Sequence, residues 1–477
     1  MSPPKTKIVA TVGPACDSPD MLRKLVIAGV TIFRLNFAHG ENAEKVERVA
    51  AIRKIANDLG TPVALLGDLG GPKIRLGELP DGMVEVAPDT RCTFARGGDA
   101  CDPNTFTTTY DGLIDDLQMD SRVILADGAV SLRVIEKHQD RAVCAVIQAG
   151  LLRSGQGVNV PDIELRVPGI TEKDREDIRW MCSQGIDLIG LSFVRSAGDI
   201  RELRQLIDDC TPAHPPHIVA KIEKPEAVKR LEEIIVETDA VMVARGDLGV
   251  EVDIVRVPAL QKEIIRTCNR HGVPVITATQ MLDSMERKRM PTRAEASDVA
   301  NAVLDGTDAV MLSGETAIGL YPLEAVTMMA NIVAEVESLV PSREELAILG
   351  SPGNATLQTT RAIALCAMYA ARELKAKKIV VATRSGKTAL AVSGLRNAMP
   401  ILALTDSPET ARWLCIAWGV RAIVTEAGKG TPQTLIAFID EWGREDRVLE
   451  PGHRVVLVGA SDWTRPEKDL LLVHTIT

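Results

Sequence analysis

Short runs of β-branched residues alternate with longer helical patterns along most of the chain, and this alternation constrains the fold more than any other feature. Such alternation is typical of parallel βα units, in which a helix connects each strand to the next. Eight strands are predicted in the first two thirds of the chain, which is the number that closes a TIM barrel. They span residues 6–12, 30–36, 63–68, 187–193, 217–223, 239–244, 273–279 and 308–313.

The chain between the third and fourth predicted strands has a different texture. From Asp68 to about Arg166 it contains short strand-like pieces such as VILADG and LRVIE, turn clusters such as ARGGDACDPN, and no long amphipathic helix. A stretch of this length is too long for a structureless loop in a compact protein. We therefore expect a small inserted β-barrel lid domain at 71–168, which divides the barrel domain into residues 1–70 and 169–342.

The pattern restarts in the last third of the chain. A long helix predicted over 356–375 is followed by the strand KIVVAT, the loop RSGKT, another helix and four further strands, ILALT, RAIVT, RVVLVG and LLLVHTI. We expect an independent α/β domain with an open, mainly parallel sheet at 343–477. The predicted fold class is therefore α/β, a TIM (β/α)8 barrel with an inserted β lid and a C-terminal open-sheet domain.

Composition and charge exclude several classes of partner. Aromatic residues make up only 3% of the chain and the formal net charge is -10, so the stacking residues and basic surface of nucleic-acid-binding modules are lacking. The nine cysteines are scattered without a CxxC pair, which argues against a disulfide framework or a zinc site. No segment has the character of a signal peptide or membrane span, and we expect a cytoplasmic protein.

Polar residues collect at the ends of the predicted barrel strands, where TIM-barrel enzymes place their active sites. Alternation along a strand puts Arg34 and Asn36 on one face, and likewise Lys221 and Glu223. Glu223 and Asp247 end adjacent strands and can converge on one Mg²⁺, although an ion pair between Lys221 and Glu223 is the structural alternative. The strand-end residues are Arg34, Asn36, Asp68, Ser192, Lys221, Glu223, Asp247, Thr279, Ser313 and Glu315.

Three cations near these carboxylates suit a phosphate-rich substrate. Arg34 and Arg75 can bind phosphate oxygens in a bidentate manner, and Lys221 supplies a compact point charge. Phosphoryl transfer depends mostly on positioning and charge neutralisation, so this set suits that chemistry without a covalent nucleophile. The sequence GKT at 386–388 is not part of a Walker A motif, because Val381 stands where that motif needs glycine.

Seven sequence blocks resemble the pyruvate kinase family in order and spacing. The longest is TQMLDSMERKRMPTRAEASDVANAVLDGTDAVMLSGETAIGLYP, and the others are KIVATVGPA, FRLNFAHG, GDLGGPKIR, GQGVNVP, IVAKIEKPEA and ARGDLG. The resemblance is to the bacterial type and covers the chain to about residue 340. It implies Mg²⁺-dependent transfer of a phosphoryl group from phosphoenolpyruvate to ADP, giving pyruvate and ATP in the final step of glycolysis, with Mn²⁺ as an alternative metal.

The resemblance also implies roles for residues on the phosphoenolpyruvate side of the site. Glu223 and Asp247 would bind the divalent metal, and Lys221 would stabilise the phosphoryl group during transfer. Arg34 would contact the phosphate. Backbone N–H groups near Gly246 and Asp247 would hold the substrate carboxylate.

Other residues fall on the nucleotide and protonation sides. Asn36 and Arg75 would lie on the nucleotide side, and His39 is placed there too, although a lone histidine near a loop is more often structural. Thr279 would mark the face on which enolpyruvate is protonated. A water relay that includes Ser313 would deliver the proton.

The site for a monovalent cation departs from the family's pattern. Many members bind K⁺ through an Asn, a Ser and an Asp-Thr pair. Asn36 and Asp68 remain here, but Ala38 and Leu69 replace the Ser and the Thr, so two oxygen ligands are missing. Lys73 stands where potassium-requiring members carry Glu. We predict that the Lys73 ammonium replaces K⁺ and that the chain belongs to a potassium-independent subgroup.

The loop after the first strand of the C-terminal domain is a candidate phosphate site. It precedes a predicted helix, whose free N–H groups and dipole favour an anion, although a simple capped helix is the alternative. The resemblance favours an allosteric site for a sugar monophosphate or nucleotide monophosphate, because the segment SDWTRPEKD lacks the Gly-rich loop of members that respond to a sugar bisphosphate. The loop residues are Thr383, Arg384, Ser385, Gly386, Lys387 and Thr388.

Two other functions share part of this pattern. A Mg²⁺-dependent TIM-barrel lyase or aldolase acting on pyruvate or phosphoenolpyruvate would share the two carboxylates but would not need the lid or Arg75. A catalytically silent metabolite sensor would need only the C-terminal loop, and the joint presence of Lys221, Glu223, Asp247 and Thr279 argues against it. A homotetramer is expected from the family resemblance alone.

Overall fold

A computed structural model describes residues 4–38, 42–97, 102–161, 163, 165–340, 355–445, 448–460 and 469–477. His39 lies outside the described residues, as do the predicted domain boundary near 342 and the cations of the SDWTRPEKD segment, Arg465 and Lys468.

The first three barrel strands and their helices follow the predicted pattern. Ser18 caps the first helix by accepting a hydrogen bond from Met21 N at 3.3 Å, and Pro19 presets the backbone of its first turn. Leu22 and Leu25 of this helix are buried in the main hydrophobic core. The elements are β1 (Lys7–Thr11), the helix Pro19–Ile27, β2 (Val30–Asn36), the helix Asn42–Leu59 and β3 (Ala64–Asp68).

A separate β domain follows β3, as predicted. It contains β4 (Met83–Val86), β5 (Arg91–Ala95), β6 (Thr105–Phe106), the helix Leu113–Asp116, β7 (Arg122–Leu125), β8 (Val130–Lys137), β9 (Arg141–Gln148), β10 (Gly150–Arg153) and β11 (Val158–Asn159). Alternate residues of β8 and β9 are buried, so one face of each strand contributes to a shared aliphatic core. The strands pair in a six-stranded sheet, β11-β7-β8-β9-β5-β6, and a two-stranded sheet of β10 and β4. The end strands β6 and β11, each two residues long, are not paired with each other in the described structure.

The other five barrel strands follow the lid. They are β12 (Leu188–Leu191), β13 (His217–Ile222), β14 (Ala240–Ala244), β15 (Val275–Ala278) and β16 (Ala309–Leu312). The accompanying helices are Glu172–Ser183, Ala197–Asp209, Pro225–Lys229, Leu231–Glu237, Arg245–Glu251, Val257–His271, Arg293–Asp305, Gly314–Ala317 and Pro322–Val336. Single 3₁₀ turns in the chain lie at Pro80–Gly82, Ala126–Gly128, Ile254–Arg256, Asp283–Glu286, Glu337–Leu339, Leu414–Ile416 and Glu426–Lys429.

All eight barrel strands are parallel to their neighbours and close in the order β1-β16-β15-β14-β13-β12-β3-β2. The predicted TIM barrel is therefore confirmed. Aliphatic side chains such as Ile32, Leu66 and Val219 fill its interior, so the barrel is a packed core and only its rim is available for chemistry.

The C-terminal domain has the predicted open sheet. Its helices are Ala355–Glu373, Lys387–Gly394, Pro408–Trp413 and Pro432–Glu445, and its strands are β17 (Lys378–Ala382), β18 (Ile401–Thr405), β19 (Val420–Val424), β20 (Arg454–Ala460) and β21 (Asp469–Thr475). The strand order is β19-β18-β17-β20-β21, and only β21 runs antiparallel to its neighbour in the described sheet. No helix in the described part of the chain is both long and apolar enough to cross a bilayer.

A buried ion pair joins the C-terminal domain to the barrel. Arg396 Nη2 lies 2.9 Å from Asp308 Oδ1, at the residue that precedes β16, and it also donates to Gly306 O at 2.9 Å. The Arg396 guanidinium stacks over the Trp418 ring, whose Nε1 donates to Thr6 Oγ1 at 3.2 Å. Because the Arg396 and Asp308 side chains are almost fully buried, each charge depends on the other for compensation.

We predict that Arg396→Met destabilises the protein, because Asp308 would keep a buried charge without its partner. Breaking such a pair costs roughly 3–5 kcal/mol, and the midpoint of urea unfolding should fall accordingly. Arg91→Met is the matched control, since Arg91 forms an ion pair with Glu136 that is exposed to solvent. An equal effect of both substitutions would contradict the prediction.

Candidate active site

A cavity of about 330 Å³ opens at the C-terminal end of the barrel, where the sequence predicted the site. Eight of the strand-end residues predicted to meet at this rim are among those that line it. The lining residues are Thr11, Arg34, Asn36, Asp68, Lys221, Glu223, Met242, Ala244, Asp247, Thr279, Met311, Ser313, Gly314, Ala317 and Ile318.

Lys221, at the end of β13, is the centre of a buried charge network. Its Nζ lies 2.9 Å from Glu223 Oε1 and 3.2 Å from Asp68 Oδ1, and it donates a hydrogen bond to Ser192 Oγ at 2.7 Å. Burial disfavours the charged ammonium, but Asp68 and Glu223 outweigh it, so the pKa of Lys221 lies above its ordinary value. The predicted ion pair between Lys221 and Glu223 is therefore present as part of the cavity wall.

Asp68, at the end of β3, shares its charge between two cations. Its Oδ2 accepts a hydrogen bond from Arg34 Nε at 2.6 Å, while its Oδ1 faces Lys221. Burial would raise the pKa of Asp68, yet Lys221 and Arg34 hold it below its ordinary value. Arg34 also donates to Thr11 Oγ1 at 3.1 Å, which fixes the guanidinium at the cavity wall.

Glu223 and Asp247 provide two carboxylates to one cavity. Glu223 is fully buried, and its Oε2 accepts a hydrogen bond from Phe193 N at 2.6 Å. Burial and the nearby Asp247 charge together raise the pKa of Glu223, against the opposing effect of Lys221. A divalent cation between the carboxylates would relieve this repulsion, and the ion-paired Oε1 of Glu223 has no hydrogen bond within the described structure. No group of three or more His, Cys, Asp or Glu that could hold a metal is found among the described residues, this cavity included, so a Mg²⁺ between these two carboxylates would need substrate oxygens and water as its other ligands.

Thr279, which follows β15, adopts a backbone conformation that is rare for a β-branched residue. Its φ is +65°, and that of Gln280 is +54°. Left-handed residues other than glycine cost of order 1–3 kcal/mol each, so their surroundings must hold them in place. The Thr279 hydroxyl donates to Ala278 O and accepts from Gly246 N, both at 2.7 Å. The N–H of Gly246 is therefore engaged by Thr279, which leaves the N–H of Asp247 as the candidate for a substrate carboxylate.

Ser313 and Glu315 follow β16, the strand that pairs with β15 in the barrel. Glu315 is buried and accepts hydrogen bonds from Ser313 N at 2.7 Å and Leu282 N at 3.0 Å. It thereby connects the loops that follow β16 and β15, and burial raises its pKa. The hydroxyl of Ser313 is buried without a hydrogen-bond partner among the described residues, which is the environment expected for a group that binds water or substrate.

Comparisons with known proteins match the barrel and the C-terminal domain to the same family. The family model "Pyruvate kinase, barrel domain" matches residues 3–326, and "Pyruvate kinase, alpha/beta domain" matches residues 361–474. The chain belongs to the pyruvate kinase family. This membership favours the kinase over the lyase and sensor alternatives.

Individual relatives agree with the family models. A pyruvate kinase of Staphylococcus aureus strain MRSA252 is 43% identical over 476 residues, and one of Geobacillus stearothermophilus is 42% identical over 475, each alignment covering 99% of this chain and 80% of the relative. A crystal structure of a pyruvate kinase from Cryptosporidium parvum superposes with a TM-score of 0.92 at 33% identity, covering 99% of this chain and 96% of that chain.

Lys73, the residue predicted to replace K⁺, bridges the lid and the barrel. Its Nζ lies 3.5 Å from Asp247 Oδ1 and 3.8 Å from Asp127 Oδ1 of the lid. Asp68 is paired with Arg34 and Lys221 in the described structure and forms no ion pair with Lys73. The ammonium therefore lies beside a predicted metal ligand and forms no ion pair with Asp68, which was predicted as a remnant of a K⁺ site.

The residues predicted on the nucleotide side are only partly brought together. Asn36 lines the cavity, and its Oδ1 accepts a hydrogen bond from Ala38 N at 3.0 Å. Arg75 does not line the cavity within the described structure; it lies in the lid, where its Nη1 donates to Gly155 O at 3.0 Å.

The loop of the C-terminal domain has a defined shape. Thr383 is buried, and its Oγ1 accepts a hydrogen bond from Gly386 N at 3.0 Å, so Thr383 shapes the loop from within. Gly386 has a φ of +81° and precedes the helix Lys387–Gly394. Arg384, Ser385 and Lys387 are exposed, which leaves two cations accessible at the start of this helix.

One buried residue with extensive contacts was not predicted from the sequence. Arg245 precedes Gly246 in ARGDLG and donates hydrogen bonds to backbone carbonyls of the loop that carries Thr279. An arginine directly after the apolar strand VMVA is the signal that could have identified it. Its side chain does not line the cavity within the described structure, so the pattern of polar residues at the strand ends does not single it out.

Proposed function

We propose that this pyruvate kinase transfers the phosphoryl group of phosphoenolpyruvate to ADP in the cavity at the C-terminal end of the barrel, with Mg²⁺ bound by Glu223 and Asp247. Mn²⁺ is the alternative metal. The observation that carries the proposal is the presence of two carboxylates and two cations, Lys221 and Arg34, in one cavity. Family membership provides the reaction, and these residues provide the means to perform it.

The cations neutralise charge as the phosphoryl group moves. Lys221 keeps its proton because Asp68 and Glu223 favour the ammonium, so a positive charge is available without rearrangement. Arg34 presents N–H groups to phosphate oxygens while Asp68 holds its Nε. The bound metal would polarise substrate oxygens and offset the charge that develops between two anions.

Protonation of the enolate takes place on the side of Thr279 and Ser313. The hydroxyl of Ser313 is free to hold a water molecule within the described structure, whereas that of Thr279 is tied to Ala278 and Gly246. We therefore assign Ser313 to the water relay, and Thr279 to orienting it. The lid excludes bulk water, and Asn36, Arg75 and His39 are proposed for the nucleotide side.

We predict that Asp68→Asn makes activity more sensitive to alkaline pH. Loss of the Asp68 charge removes the largest favourable influence on the Lys221 ammonium, so the pKa of Lys221 falls. The alkaline limb of the kcat profile should then move to lower pH, because active Lys221 is the protonated form. Asp127→Asn is the control, since Asp127 is exposed and faces Lys73. An unchanged alkaline limb in Asp68→Asn would contradict the role of Lys221.

We further propose that the enzyme does not require K⁺, because the Lys73 ammonium supplies a fixed positive charge next to Asp247. Pyruvate formation from phosphoenolpyruvate and ADP with Mg²⁺ should be equal with and without KCl. Lys73→Met should lower activity, and KCl should not restore it, because Ala38 and Leu69 offer no side-chain oxygen. Lys73→Arg should retain activity. Negligible turnover of the unaltered enzyme without K⁺, with recovery on adding KCl, would refute this.

The loop of residues 383–388 is proposed as an allosteric site for a phosphorylated metabolite. The accessible charges of Arg384 and Lys387 and the start of the helix Lys387–Gly394 support it. A single loop of this kind suits a ligand with one phosphate group, such as a sugar monophosphate or a nucleotide monophosphate. The homotetramer and the cytoplasmic location remain proposals that rest on the family.

Thr388→Glu should abolish activation by glucose 6-phosphate or AMP, used as probes of the two effector classes, while basal turnover stays intact. The added carboxylate would repel a phosphate at the start of the helix. Gln433→Glu is the matched control, because it adds the same charge to the first turn of the helix Pro432–Glu445 in the same domain. If Thr388→Glu also removes basal activity, the loop has a structural role.

A further inference from the structure

Arg245 is a buried arginine that the reaction itself does not use. It is only 8% exposed and does not line the barrel cavity within the described structure. Its Nη2 donates to Thr279 O at 2.8 Å and to Gln280 O at 3.2 Å, and its Nε donates to Ala278 O at 3.3 Å. One guanidinium therefore binds three consecutive carbonyls, that of the last residue of β15 and those of the first two residues of the loop that follows.

The Nη1 side of the guanidinium is also held by polar contacts. Nη1 lies 2.7 Å from Asp298 Oδ2, on the helix Arg293–Asp305, and 3.3 Å from Gln261 Oε1. These contacts fix the plane of the side chain, so its carbonyl-binding edge cannot swing away. Arg245 thus connects the end of β14 with the end of β15.

The gathered carbonyls belong to the strained part of the loop. Thr279 and Gln280 are both left-handed, and Thr279 is β-branched, so neither would keep this conformation in isolation. Consecutive carbonyl dipoles that point to one place repel one another unless a cation lies there. The Arg245 guanidinium is the cation that lies there.

We propose that Arg245 is a positioning residue that holds Thr279 in its left-handed conformation, and thereby sets the geometry on the protonation side of the cavity. This conformation determines where the Thr279 hydroxyl lies. Thr279 Oγ1 lies at the cavity wall and within 2.7 Å of Gly246 N, directly beside Asp247. The proposal rests on the role given above to Thr279.

The proton step can be measured on its own. An enzyme that protonates enolpyruvate must, in the reverse direction, remove a proton from the methyl group of pyruvate. Exchange of the pyruvate methyl hydrogens for deuterium in D₂O, with Mg²⁺ and ATP present, therefore reports on this side of the cavity. We expect Arg245→Met to lower the exchange rate about 10- to 100-fold, which is less than the roughly 100- to 10,000-fold contribution of a general acid or base itself, with a smaller change in KM for ADP. Arg245→Lys keeps the charge but has fewer N–H donors. Its exchange rate should therefore lie between those of Arg245→Met and the unaltered enzyme.

A double-mutant cycle with Thr279→Ala tests whether Arg245 acts through Thr279. If it does, Arg245→Met should lower the exchange rate far less in the Thr279→Ala background than in the unaltered enzyme. If the two effects multiply, Arg245 acts independently of Thr279 and the proposal is wrong. If Thr279→Ala alone leaves exchange unchanged, the assigned role of Thr279 fails instead, and the two failures are distinguishable.

Two further variants separate positioning from general stability. Arg53 is the matched control, because it also binds two carbonyls, those of Val63 and Gly185, and an aspartate, but away from the cavity. Arg53→Met should lower the free energy of unfolding. It should not change the ratio of the exchange rate to the rate of phosphoryl transfer. Adding Gln280→Gly to Arg245→Met should recover part of the exchange, since glycine adopts a positive φ freely. The proposal would be overturned if Gln280→Gly restored none of the exchange and Arg53→Met lowered the exchange rate as much as Arg245→Met does.

Discussion

The Lys221 ammonium, held between the carboxylates of Asp68 and Glu223, is the interaction on which the rest of the active site depends. Burial alone would push the pKa of this lysine down and favour its neutral form. Two carboxylates outweigh that cost, and the charge stays in place at the base of the cavity. The same contacts hold Asp68 ionised for Arg34, so Arg34 and Lys221 are held together as one unit by a shared carboxylate.

This unit has consequences for the carboxylates beside it. Glu223 feels both the attraction of Lys221 and the repulsion of Asp247, and it lies in a fully buried position. A protein would not gain stability by bringing two carboxylates together in such a place. The arrangement makes sense for a site that receives a divalent cation, and Lys73 adds a fixed positive charge on the other side of Asp247.

The loops at the barrel rim store strain that the surrounding structure maintains. Phe193, Thr279 and Gln280 all have positive φ values. The N–H of Phe193 donates to Glu223, and the hydroxyl of Thr279 accepts from the N–H of Gly246. Strained residues of this kind persist only where their neighbours over-determine them. Arg245, with its contacts to three consecutive carbonyls, is a neighbour with that capacity.

The sequence by itself determined the eight-stranded barrel, the inserted β domain, the open C-terminal sheet and the residues at the strand ends. Alternation and spacing suffice for these, because strand periodicity and barrel closure restrict where each side chain can point. Only the tertiary structure decided that Lys73 faces Asp247 rather than Asp68, that Gly246 N–H is taken by Thr279, and that Arg75 stays in the lid. Such contacts join residues distant in the chain, and their geometry follows from how the loops pack. A motif names Arg245 only as the residue before Gly246, whereas the fold turns its guanidinium away from the cavity and onto the loop that carries Thr279.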